Sequence, residues 1–195
     1  LEFSEPAPFK NQAGGARITV KAPGSDFVKV QLSVEKDALY CPFGCGRKPT
    51  RMEGKTPVFD DSQPPSYSTS FSIAPGSRQH VAITKLEDKL KEEAIKNPSW
   101  FAKLPPQKRK NPEVTMTPLL KEPTASANGE IKYPDYTLRV NTKPKIIKAM
   151  TLMPDRRVIP AKTDPHLAIT PKSRCIPIIN LGYIYVTNMG WGVTW

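Results

Sequence analysis

Val28, Val30, Leu32 and Val34 alternate with Lys29, Gln31, Ser33 and Glu35. A period of two places the four apolar side chains on one face, so the spacing predicts a half-buried strand within Phe27–Lys36. "ARITVK" (Ala16–Lys21) has the same alternation. So has "YSTSFSI" (Tyr67–Ile73), where small hydroxyls separate Tyr67, Thr69, Phe71 and Ile73. "YTLRVN" (Tyr136–Asn141), "KIIKAMTLM" (Lys145–Met153) and "RCIPIINLGYIYVTN" (Arg174–Asn188) complete the predicted strands. Proline cannot donate to a ladder, so Pro177 places the start of the last one at an edge or bulge. Further along it, Tyr183 and Tyr185 fall on one face and Ile184 and Val186 on the other.

The period changes once. Leu86, Leu90 and Ala94 form a helical stripe, Thr84-Lys-Leu-Glu87 fits a capping box, and Pro98 ends the run. Trp100 and Phe101 follow and are expected to fold back on the core. Four acids balance four lysines from Lys85 to Lys96, so this helix reads as a solvated flank and not as an anion-binding element. Residues 41–66 and 102–130 are loop-rich insertions; "LPPQKRKNP" (Leu104–Pro112) is a basic, proline-bounded loop, and the proline-spaced stretch that follows through Gly129 is expected to be mobile. No internal repeat occurs. The pattern predicts one domain over residues 1–195, mainly β: an OB-type Greek-key barrel with one α-helix in a long inter-strand connection and extended loops.

Composition sharpens this picture. Proline occurs 22 times in 195 residues, about twice its usual share, which favours short strands and long connections over a helical bundle. The net charge is +11, and it is uneven. Residues 101–195 hold 15 Lys+Arg against 6 Asp+Glu, whereas residues 1–66 hold 9 against 8. A cationic half attracts polyanions. No apolar run approaches the length that spans a bilayer, and no leader pattern opens the chain. Three cysteines are too few for a disulfide scaffold, which implies a reducing, intracellular compartment, cytosol or nucleus.

Little in the sequence points to catalysis. His80 and His166 are the only imidazoles, and neither stands in a nucleophile or metal-hydrolase motif. Asp60-Asp61 reads as a solvated acidic pair, and "GGAR" (Gly14–Arg17) lacks the Lys-Ser/Thr ending of a phosphate cradle. Cys41 and Cys45, joined by Cys175 and either histidine, could supply four zinc ligands. No second pair has ligand spacing, so buried or loop thiols are the favoured reading. The expectation is a non-enzyme without cofactor or metal.

The basic and aromatic residues carry more. Arg139, Lys143, Lys145 and Lys148 occur on or between two neighbouring predicted strands, with Arg156 and Arg157 in the turn beyond. Lys172 and Arg174 precede the strand of Tyr183 and Tyr185, and Trp191 follows it between two glycines. Cationic side chains neutralise phosphates, and flat rings stack on unpaired bases. Taken singly, each residue is ordinary strand packing or a wet face. Together they favour nucleic-acid binding, with those cations on phosphates and Tyr183, Tyr185 and Trp191 under bases. The rival reading is a structural or assembly protein, such as a minor virion component, whose basic, proline-rich half contacts protein neighbours.

The order of features adds a family likeness. "CPFGCG" after two strands, "ITKLEDKLKEEAIKNPSWFAKL", "YPDYTLRVN" and "IINLGYIYVTNMGWGVTW" together resemble the single-stranded DNA-binding proteins of nucleocytoplasmic large DNA viruses. That family is similar to the phage T-seven type, an OB barrel with one helix in a long connection. The resemblance implies sequence-independent binding of single-stranded DNA in replication and recombination, inside an infected cell, often as a dimer and with replication proteins as partners. Phage members carry an acidic C-terminal tail; the last fifteen residues here carry no charged side chain, so either such a tail lies outside this sequence or the protein does not regulate itself that way.

Overall fold

A computed structural model describes the chain except residues 10–14, 26–27, 63, 103, 110, 126–127, 132, 143–149, 153–157 and 161–164; for 108, 142, 150–152, 158–160, 165 and 166 it describes the backbone alone. In chain order the elements are β1 (Glu2–Phe3), β2 (Ala7–Pro8), β3 (Ala16–Lys21), β4 (Val28–Gln31), β5 (Leu39–Cys41), β6 (Cys45–Arg47), β7 (Arg51–Glu53), β8 (Thr56–Val58) and β9 (Tyr67–Ile73). Helix α1 (Arg78–Lys96) and the single turn α2 (Pro106–Arg109) follow. Then come β10 (Leu120–Lys121), β11 (Tyr136–Thr142), β12 (Met150–Leu152), β13 (Val158–Pro160), α3 (Pro165–Ala168), β14 (Ser173–Cys175), β15 (Ile178–Leu181), β16 (Tyr183–Thr187) and β17 (Gly190–Thr194).

The protein is mainly β, as expected, and its ladders are antiparallel. One sheet runs β1-β3-β16-β17, with β2 also on β3; a second runs β10-β11-β9-β6. The pairs β14-β5, β15-β4, β12-β13 and β7-β8 stand apart as two-stranded ladders. Among the described residues these ladders do not close into a barrel. Alternation decides which face is dry. On β3, Ala16, Ile18 and Val20 are buried while Arg17 is exposed; on β9, Tyr67, Thr69, Phe71 and Ile73 are buried and the serines between them half-buried.

Two predicted strands are shorter than their patterns. The apolar face expected from Val28 to Val34 fails at its end, where Ser33 is buried and Val34 is 47% exposed, and β4 stops at Gln31 because its partner starts only after Pro177. Leu32 N–H still reaches the Pro177 carbonyl at 3.0 Å, yet proline has no N–H to return. Beyond it Glu35–Asp37 coils into a 3-10 turn. The stretch Arg174–Asn188 is three strands, not one. Pro177 separates β14 from β15, and at Gly182 the chain leaves β4 and joins β3 and β17. Of Lys145–Met153, only Met150–Leu152 of the predicted strand is described as one.

The helix begins earlier than its predicted capping box. Ser77 is the N-cap, its Oγ accepting from the His80 N–H at 3.1 Å, and Thr84 lies inside the helix. Leu90 and Ala94 are buried and Leu86 half-buried as the stripe implies, with Ile83 extending it by a turn. Glu87, read as half of a cap, has another use. Its Oε1 accepts from Lys91 Nζ at 2.7 Å, and its Oε2 accepts from the Leu119 N–H at 2.8 Å.

That last bond holds down the stretch expected to be mobile. Leu104, Pro112, Met116, Leu119 and Leu120 are buried, and Thr117 N–H donates to the Trp191 carbonyl at 2.7 Å. Leu104, Met116, Leu119 and Leu120 thus pin this strap to the protein's own core, in the same cluster as the buried Trp100 and Phe101.

Candidate nucleic-acid interface

The register of the first sheet fixes where the tyrosines point. Across it, Arg17, Tyr185 and Gly192 stand in one row, and Thr19, Tyr183 and Thr194 in the next. The opposite face carries Ile18 with Ile184 and Val193, and Ala16 with Val186 and Trp191. Ile184 and Val186 are fully buried, so the tyrosines occupy the outward face. They are only half exposed. Phe9 meets the Tyr183 ring edge-on, with centroids 6.1 Å apart. The Tyr185 phenol lies over Gly192, where a Cβ would come within 2.6 Å of its oxygen, and donates to Thr117 Oγ1 at 3.2 Å.

Trp191 corrects the sequence reading. It pairs with Val186, so parity turns it inward, and it is 0% exposed. Its Nε1–H donates to the Pro112 carbonyl at 2.6 Å, and its ring lies 5.6 Å from Phe101. A buried indole with its one donor satisfied is a core residue and offers no face to a base.

The basic residues divide among different surfaces. Arg139 stands exposed on the second sheet opposite Ser70, its Nη2 donating to Ser68 Oγ at 3.4 Å. Arg174 is exposed on β14 opposite Tyr40, its Nη1 donating to the Ala38 carbonyl at 3.3 Å. Lys172 lies in the turn just before it. None of these three lines the tyrosine strand; Arg17, which the sequence reading passed over, does. Lys143, Lys145, Lys148, Arg156 and Arg157 lie outside the described residues.

A second aromatic surface forms around the Cys-Pro-Phe-Gly-Cys loop. Phe43 is 57% exposed and Tyr133 49%, and their rings touch edge to face with centroids 5.5 Å apart. Tyr40, 38% exposed, stands across the ladder from Arg174. The loop is seated on the turn that presents Lys172. Gly44 has φ +68°, and a Cβ there would meet the Ile169 carbonyl at 2.7 Å, so glycine alone fits. Cys45 N–H donates to that same carbonyl at 2.8 Å, and Lys172 N–H to the Cys41 carbonyl at 2.9 Å. Tyr40, Phe43, Tyr133, Lys172 and Arg174 thus share one exposed region.

Lys172 is held at φ +66°. Pro171 precedes it and Ser173 N–H returns to the Thr170 carbonyl at 3.3 Å, the features of a type II turn with lysine in the glycine position. Of this surface, the sequence reading named only Lys172 and Arg174. Phe43 was discoverable: a phenylalanine between proline and glycine, on a loop too short to turn it inward, is exposed at a cost that a binding role would offset.

Beneath the loop, the three thiols lie together. Cys41 and Cys45 are buried and Cys175 half-buried, and all three are free. Cys41 and Cys175 share one face of the β5-β14 ladder. His80 is engaged elsewhere, its ring 4.6 Å from Tyr136, and the His166 side chain lies outside the described residues. Among the described residues no three His, Cys, Asp or Glu side chains are disposed to hold a metal ion, and no helix is long and apolar enough to cross a membrane. In comparisons with family models, curated proteins and solved structures, the chain matches none.

Proposed function

We propose that the protein binds single-stranded DNA without reading its sequence, as a non-catalytic component of replication or recombination. The observation that carries this reading is the exposed Phe43–Tyr133 ring pair beside Tyr40, Lys172 and Arg174. Exposed aromatic faces accept splayed bases of any identity, each stack contributing about 1–3 kcal/mol, and adjacent cations neutralise the phosphates between them. In this proposal the sheets act as an OB-type surface. The half-exposed face of Arg17, Tyr183 and Tyr185 is its secondary contact, and the resemblance to viral single-stranded DNA-binding proteins points the same way. Anisotropy of labelled oligo-dT, compared with duplex of equal length over a salt series, tests it. Single strands should bind more tightly, with log affinity falling linearly in log salt by about 0.7 per phosphate contacted. Equal affinity for duplex, or indifference to salt, rejects the reading.

One observation favours a protein partner instead. Val114 is 77% exposed and Met189 82%, and Thr115 lies against Gly190, so the two apolar side chains flank one contact. Such a pair suits an assembly contact better than a phosphate chain. Self-association measured by sedimentation, lost on Met189→Asp, would support that reading over the first.

A further inference from the structure

The thiol cluster under the loop serves neither stacking nor charge neutralisation. Cys41 stands opposite Ser173 and Cys175 opposite Leu39, so the two cysteines are diagonal neighbours on one face of the β5-β14 ladder. Both side chains leave the ladder on that shared face, towards each other across one diagonal. The Ser173 hydroxyl lies 3.7 Å from the Cys175 sulfur, and Ser33 Oγ anchors the Cys175 carbonyl at 3.5 Å. Cys41 is 0% exposed, whereas Cys175 is reachable from solvent.

We propose that Cys175 is a peroxide-sensitive thiol and Cys41 its resolving partner, so that oxidation joins β5 to β14 by a disulfide. The hydrogen bond from Cys41, opposed by burial and aided by Ser173, lowers the Cys175 thiol to about 6. The same interaction with Cys175, and then burial, push the Cys41 thiol upward. Burial also raises Cys45, which leaves it protonated. The groups facing Cys175 are the other two thiols and the Ser173 hydroxyl; Arg174 alternates to the other face.

The chemistry balances with a hydroperoxide as oxidant. The Cys175 thiolate attacks the terminal peroxide oxygen, the O–O bond breaks, and hydroxide leaves, protonated by solvent, giving a sulfenic acid. The Cys41 sulfur then attacks the Cys175 sulfur and the S–O bond breaks; the departing hydroxide takes the Cys41 proton and leaves as water. Two thiols lose two electrons, and one peroxide becomes two waters. Diagonal neighbours stand about 7–8 Å apart, at the outer limit that a disulfide bridges, so closing the bond draws β5 and the three-residue β14 together.

The inference does not depend on DNA binding. Hydrogen peroxide is the probe, read by non-reducing peptide mass spectrometry on the full chain. A Cys41–Cys175 linked peptide is expected in the unaltered protein. Cys41→Ser should trap a dimedone adduct on Cys175, and Cys175→Ser should leave Cys41 unmodified. Native alkylation by iodoacetamide should favour Cys175 over Cys45 by about tenfold or more at neutral pH, the advantage shrinking as pH falls through about 6. An unmodified Cys175, a Cys45-linked peptide, or equal alkylation of the two thiols overturns the proposal. The measurements on unaltered protein stand even if a variant fails to fold.

Discussion

The two aromatic surfaces hold similar residues in opposite circumstances. On the tyrosine strand, Tyr183 and Tyr185 are locked into a regular sheet, covered in part by Phe9 and bonded to Thr117. Around the Cys-Pro-Phe-Gly-Cys loop, Phe43 and Tyr133 are about half exposed and meet edge to face, with Lys172 and Arg174 on the turn and strand beneath the loop. A strand's alternation turns a ring outward, but here Phe9 and Thr117, from outside the strands, then cover part of it. A short loop seated on a glycine cannot cover its own ring. Regular structure therefore made the tyrosines conspicuous in the sequence, and irregular structure made the loop aromatics available to a partner.

Four substitutions break or sharpen that contrast. The largest effect is expected at Trp191, which marks the dry side of the tyrosine sheet. Trp191→Ala should cost about 3–5 kcal/mol in urea unfolding. A loss under about 1 kcal/mol would mean that the indole is not the core residue its burial and Pro112 bond make it. Next, Phe43→Ala should weaken oligo-dT binding by about 1–3 kcal/mol while leaving unfolding within about 0.5 kcal/mol of the parent protein. Unchanged affinity there would remove the loop from the interface.

Lys172→Gly separates strain from function. Relief of the left-handed backbone should raise stability by about 1 kcal/mol, and loss of the cation should lower the salt slope by about 0.7. If stability rises and the slope stays, Lys172 touches no phosphate. The smallest change belongs to Tyr185→Phe. It forfeits only the bond to Thr117, worth under about 1 kcal/mol at a half-exposed site, and should not alter affinity. A drop in affinity matching that of Phe43→Ala would make the tyrosine face the primary platform and reverse the ranking of the two surfaces.

Much of the framework was legible. The bounds of β3 and β9 coincide with the predicted runs, because unbroken alternation with one buried face specifies both the strand and its register. The α1 stripe was legible for the same reason in a period of 3.6, although its start was not. The Thr84–Glu87 pattern marked a start that the helix does not use: Ser77 caps it instead, and Glu87 is taken by Lys91 and the Leu119 backbone. The stretch after Pro112 was expected to be mobile because prolines punctuate it, yet Met116, Leu119 and Leu120 in it are buried. Its buried residues have no period, so nothing local reveals that α1 and Trp191 cover them.

The sequence alone determined that the protein is mainly β with one long helix, that its charge is concentrated in the second half, and that Tyr183 and Tyr185 face away from Ile184 and Val186. Those are properties of local period and composition, which need no knowledge of neighbours. Only the tertiary structure decided that Trp191 faces inward, since that depends on its pairing with Val186. It alone brought Cys41 and Cys175 into contact and set Phe43 beside Tyr133, because residues so far apart in the chain meet only through strand pairing and loop seating that no local pattern encodes.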